Sequence, residues 1–176
     1  MKTTYTIDPA HSTAQFVARH MMITNVRGGL SGVPGTVAYD PENPTASSVE
    51  VVIDANRINT LEPARDAHLK SADFLHVEKY PTIIFKSSSS APDGDGELRL
   101  QGDLTIHGVT KPVVLKVEVP SAETKDPMGN ARIGASAATR IKRSDFGLTW
   151  NAALETGGLL VGDNLKIELE VSLIRA

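Results

Sequence analysis

The side chains best suited to acid–base or metal chemistry in this 176-residue chain are its five histidines, His11, His20, His68, His76 and His107. They are dispersed, with no HxH or HExxH spacing. Asp66 and His68 offer two metal ligands at most, and a third would have to come from a distant segment. There is no cysteine, which removes thiolate ligands, disulfides and thiol nucleophiles together. Ser12 stands beside His11, but no spaced acid completes a triad and no Gly-x-Ser-x-Gly elbow occurs. There is no Walker loop and no GxGxxG. Asp93-Gly-Asp-Gly96 begins like a calcium loop and then lacks the later ligands, so a hairpin turn accounts for it. The residues by themselves indicate no catalytic group and no metal site.

The elements that would position these residues are mostly strands. Thr3–Ile7, Thr13–Met21, Gly32–Asp40, Ser47–Asn56, Glu97–Ile106, Lys111–Val119, Arg132–Ile141 and Leu165–Ile174 each alternate an apolar with a polar face. Turn signals such as Asp40-Pro-Glu-Asn-Pro44, Pro92–Gly96 and Lys125–Asn130 separate them. Met22–Gly29 loses the alternation and predicts a short helical turn stopped by Gly28-Gly29. Lys142–Asp163 reads as a long irregular segment. Arg65–Phe85 stands apart: a polar helix over Pro63–Ser71, then a strand headed by Pro81, which cannot donate a ladder hydrogen bond.

About eight strands joined by tight turns predict one all-β domain over 1–176, an antiparallel meander closed into a barrel with one or two short helices. Aromatic residues make up only 5 % of the chain, few for filling such a barrel, and Arg132–Ala138 is built of small residues. Either a ligand cavity or a core closely packed around small residues fits this pattern. The formal net charge of −3, with no basic stripe, argues against a nucleic-acid partner. No apolar run reaches the roughly 20 residues of a membrane helix, so an integral membrane protein is not expected. The N-terminus shows no signal-peptide pattern, which predicts a cytoplasmic protein, or a periplasmic or secreted one if a leader was removed.

Several blocks, in order, resemble the YceI-like family. They are Tyr5-x-Ile-Asp-x-x-His-Ser with Phe16 and His20; Arg65-Asp-x-His-Leu-x-Ser-x-Asp-Phe74 with Tyr80-Pro81; Gly102-Asp-Leu-Thr-Ile-His-Gly-Val-Thr-Lys-Pro112; and Ile141-x-Arg-x-Asp-Phe-Gly-Leu-x-Trp150. The resemblance spans essentially the whole chain. It implies an extended, eight-stranded, lipocalin-like barrel that binds a long amphiphile, a polyisoprenoid or isoprenoid quinone, with no other cofactor, and it implies a possible homodimer. Tunnel-lining candidates are Phe16, Ala18, Val51, Ile84, Leu104, Leu115, Ala137 and Leu169, with strand parity deciding each. Head-group candidates are Arg65, His68, Arg143 and His20; for Arg65 and Arg143 the other role is to cap the helix and pin the late loop. Competing readings are a filled, partner-binding barrel and a lipid-modifying enzyme working through the His68 region.

Overall fold

The computed structural model describes residues 1–94 and 96–176. Its strands are β1 (Thr3–Ile7), β2 (Thr13–His20), β3 (Thr24–Leu30), β4 (Gly35–Tyr39), β5 (Ser48–Asp54), β6 (Ile58–Asn59), β7 (Thr82–Pro92), β8 (Glu97–Ile106), β9 (Val109–Glu118), β10 (Thr124–Lys125), β11 (Ala131–Lys142) and β12 (Val161–Arg175). The helix α1 covers Pro63–Lys70. Neighbouring strands are antiparallel, and the ring β1-β4-β5-β7-β8-β9-β11-β12 closes on itself through β12 and β1. The molecule is an eight-stranded barrel, as the alternation predicts.

The remaining segments lengthen it. β12 pairs with β1 over Leu173–Arg175 and with β2 over Val161–Glu170, along the same edge. β3 pairs with β2 and β6, just as β4 pairs with β1 and β5. The first three barrel strands are therefore bent or broken midway, which draws the barrel out along its axis.

One expectation is overturned. Residues 24–30 are not a helical turn but β3, hairpinned to β2. The turn is Met21-Met22-Ile23, with φ of 51° and 62° at the two methionines, and Ile23 N–H donates to the His20 carbonyl at 3.1 Å. Two consecutive positive φ angles are the hairpin conformation that Asn-Gly normally signals, and methionines give no such signal. Gly28 does not stop a helix. A β-carbon there would run into the Phe16 ring across the strand pair, so the glycine makes room for the aromatic. The hairpin expected over Pro92–Gly96 joins β7 to β8; its Asp95 lies outside the described residues.

α1 is set in place by its flanks. Pro63 begins it and the Glu62 carboxylate accepts from Ala64 N–H. No helix residue is fully buried, whereas Phe74, Leu75 and Val77 just beyond it are. Leu75 and Val77 join Ile58, Ile106, Ile141, Phe146 and Leu148 in a core cluster that fixes this end of the barrel. A second cluster, around Tyr5, Ile7, Val37, Tyr39, Ile133 and Leu173, forms the wall toward the other.

Candidate functional site

The barrel interior is not filled. Among the described residues, two apolar cavities lie end to end. The larger, about 210 Å³, is walled by β4, β5, β7, β8, β9, β11 and β12. The smaller, about 150 Å³, lies beneath α1, the β2–β3 hairpin and the loop that follows β11. Ala14, Leu30, Ile83, Ile106, Ile141 and Ile167 line both, forming a waist between two chambers of one elongated space.

Alternation puts the inward residues there. Val51, Leu104, Leu115, Ala137 and Leu169 line the larger chamber, and Phe16 and Ala18 the smaller. Ile84 does not line either, a correction to the sequence reading. It pairs across the sheet with Val52, which is exposed, while its neighbours Ile83 and Phe85 point inward. Pro81 sets the start of β7 but not its parity, and one step reverses the face. Phe85, in register with Leu104, packs its ring diagonally over Gly102 of β8, where a side chain would collide with it, so a glycine two residues from an aromatic's cross-strand partner is the available signal. Ala135 and Ala137 face the larger chamber, which places the small residues of β11 where they widen it.

The head-group candidates scatter. His20 ends β2 beyond Ala18 on the same face and lines neither chamber. Arg65 donates from Nε to Thr60 Oγ1 (2.7 Å) and from a terminal nitrogen to the Thr60 carbonyl (2.9 Å). Asp66 accepts from the same threonine's N–H and hydroxyl, and that hydroxyl bond holds its carboxyl below the usual range. The two side chains knot α1 to the end of β6. His68 Nε2 lies 2.9 Å from Asp73, with its ring edge-on to Phe74 and Trp150, and lines neither chamber.

Arg143 borders the smaller chamber at 5 % exposure. Its guanidinium donates to the carbonyls of Leu148 (2.6 Å), Trp150 (2.9 Å), Gly162 (3.0 Å) and Val161 (3.3 Å). Burial lowers its pKa, with Asp163 opposing. Asp163 itself accepts from the Ser144 N–H and hydroxyl. The arginine pins the late loop to β12, and none of its polar surface reaches the cavity. Among the described residues no charged side chain lines the larger chamber, and no group of three His, Asp or Glu side chains could hold a metal. The sequence reading missed a second arginine. Arg132 binds Asp8 (2.6 Å) and Asp126 (2.7 Å), and it draws the Asp8 carboxyl down to about 2.

This geometry, with its apolar interior, can hold an apolar chain; among the described residues no nucleophile–base pair lines the cavity walls. The model of the YceI-like domain matches residues 5–173. A UPF0312 protein of Vibrio cholerae is 39 % identical over 146 residues, covering 82 % of this chain and 77 % of that protein. Among solved structures, the Campylobacter jejuni YceI protein superposes with a TM-score of 0.75 at 29 % identity, over 90 % of each chain. A polyisoprenoid binding domain from Saccharophagus degradans does so at 0.71 and 17 % identity, over 99 % of each, and at that identity the likeness is one of fold. The chain belongs to the YceI-like family.

Proposed function

We propose that this protein is a non-catalytic carrier that holds a long-chain isoprenoid or a similar amphiphile, an isoprenoid quinone included, inside the barrel. The observation that carries the reading is the elongated apolar space with no charge in its larger chamber. The solved domain of the same fold described as polyisoprenoid binding supports it. A cavity of about 150 Å³ takes a benzene-sized group, so the two chambers together accept roughly 15 carbon atoms, about three isoprene units, before the walls adjust. At about 0.8 kcal/mol per buried CH₂-sized group, each five-carbon unit supplies about 4 kcal/mol before ordering costs. Tail length therefore dominates affinity.

The test is native mass spectrometry and organic extraction of the purified protein, followed by titration with polyprenyl compounds. A co-purifying or added amphiphile at up to one per barrel is expected. Absence of both kinds of binding would overturn the reading. Ala137→Phe, which projects a ring into the larger chamber, is expected to abolish binding of the longer tails first. A homodimer and a cytoplasmic location belong to the same proposal; sedimentation and cell fractionation test them.

A further inference from the structure

Three consecutive apolar side chains stand out at the tip of the β2–β3 hairpin: Met21 is 42 % exposed, Met22 61 % and Ile23 73 %. Leu159 of the late loop, 53 % exposed, belongs to the same patch. Met21 N–H donates to the Leu160 carbonyl at 2.7 Å, and the Met22 sulfur lies over Gly158, where a β-carbon would collide with it. The patch continues into the smaller chamber. Val161, next to Leu160, lines that chamber and pairs in register with His20, next to Met21. Ala18, two residues back along β2, lines it as well. Both methionines hold the left-handed φ that favours Asn-Gly. Polar turn residues would relieve that conformation and remove the exposed apolar surface together, so solvent does not explain the methionines. Flexible thioethers suit a surface that must fit a yielding partner. The charge around the tip has one sign on the hairpin. Thr13–Leu30 contains Arg19, His20 and Arg27 and no acidic residue. Arg19 bonds to neutral Asn25 at 3.1 Å, and Glu155 is the acid in the adjoining turn, Leu154–Gly158.

We infer that this tip seats in the interfacial layer of an anionic lipid membrane. Met21, Met22, Ile23 and Leu159 enter the acyl boundary, and Arg19 and Arg27 supply the attraction to lipid phosphates. The cargo's tail then passes between the membrane and the smaller chamber without crossing water. The inference rests on the carrier reading above. A second copy of the chain fits the patch less well. Four side chains, each already partly covered, fall well short of the roughly 800 Å² per partner that a stable protein interface buries. An interfacial anchor needs no such area, because each apolar side chain that leaves water contributes on its own.

The test uses phosphatidylcholine vesicles with and without phosphatidylglycerol, each doped with an isoprenoid alcohol. Co-sedimentation reads docking, and native mass spectrometry reads the rate at which the barrel loads. The wild type should bind the mixed vesicles more tightly than the neutral ones. Met22→Ser combined with Ile23→Ser should lower both binding and loading rate by about tenfold or more. The same variant should take up the alcohol added from ethanol to the wild-type stoichiometry, which also shows that it folds. Arg19→Gln should weaken binding about fivefold on the mixed vesicles and leave the neutral ones unaffected. Met128, 86 % exposed, lies in the turn before β11, whose start pairs with the end of β12 opposite Val161, so Met128→Ser should change nothing. A wild type that ignores both kinds of vesicle, undiminished loading by the hairpin variant, or an equal loss in Met128→Ser would overturn the docking and leave the carrier reading standing. A wild-type dimer that the hairpin substitutions split, with loading from vesicles unchanged, would assign the patch to a second copy and overturn it too. No uptake of the alcohol by any route would overturn both.

Discussion

Two arginines hold the barrel together in opposite ways. Arg132 lies on the outer side, where the first strand bends between β1 and β2, and it is clamped between two carboxylates, Asp8 and Asp126. The same bend is tied by Ser12 and Ser172, and Arg132 also reaches the Ser172 hydroxyl at 3.1 Å. Arg143 lies inside the far end with no carboxylate against it and is satisfied by backbone carbonyls of the late loop and of β12. The first arrangement is electrostatic and responds to pH and salt. The second is a hydrogen-bonded plug whose charge is fixed, since a guanidinium does not lose its proton in the working range even when burial lowers its pKa. A sequence motif marks only that an arginine is present, and its surroundings decide whether it binds ligand, bridges acids or organises a loop.

The contrast can be broken most forcefully at Arg143. Arg143→Met should lower unfolding free energy by about 3 kcal/mol or more, because buried carbonyls lose charged donors at once. Urea denaturation measures this. The emission of Trp150, the single tryptophan, should shift to the red as its loop loosens. Arg143→Lys should recover less than half of the loss, since an ammonium cannot reproduce the planar fork.

Arg132 tests the pH side. The Asp8 and Asp126 carboxyls are depressed in the folded state, chiefly by Arg132, so their contribution is complete above the ordinary carboxylate pKa. It is lost as the pH falls from about 4 through the folded Asp8 value of about 2. Arg132→Met should be less stable at pH 7 and should show a shallower decline between pH 4 and 2. Parallel acid curves for variant and wild type would remove the electrostatic reading. A smaller effect is expected from salt: 1 M NaCl should destabilise the wild type slightly relative to Arg132→Met, with no such difference at Arg143. Smallest of all, His68→Ala should leave the amount of bound lipid unchanged and cost at most about 1 kcal/mol of stability. A loss of binding there would return the histidine to the ligand site.

Much of the fold was legible because a half-buried strand writes its inner face into every second residue. Leu98 to Ile106 and Leu165 to Leu173 could hardly be read otherwise. The helix was visible for the opposite reason, a polar segment interrupting that pattern. Ile84 was misassigned because a short apolar run, Ile83-Ile84-Phe85, carries no alternation to fix its parity. β3 is hidden because Gly28 serves the ring of Phe16 across the sheet, and its turn uses methionines where the backbone conformation favours Asn-Gly. Arg65 and Arg143 stand out in the sequence as residues, but their choice between ligand and scaffold does not, since hydrogen bonds to threonine and to backbone carbonyls leave no trace there.

β12 is the longest strand, and it alone touches both ends of the meander: β11 along its length on one edge, β1 and β2 on the other. At about 3.3 Å per residue its 15 residues run about 50 Å. During synthesis it emerges after every strand it pairs with, so the interior has no complete wall until β12 has left the ribosome. Pairing across that sequence distance is slow compared with local hairpins. The nascent chain must keep the facing edges of β1, β2 and β11 from pairing elsewhere in the meantime, and any cargo enters a barrel already closed or is enclosed as the final strand arrives.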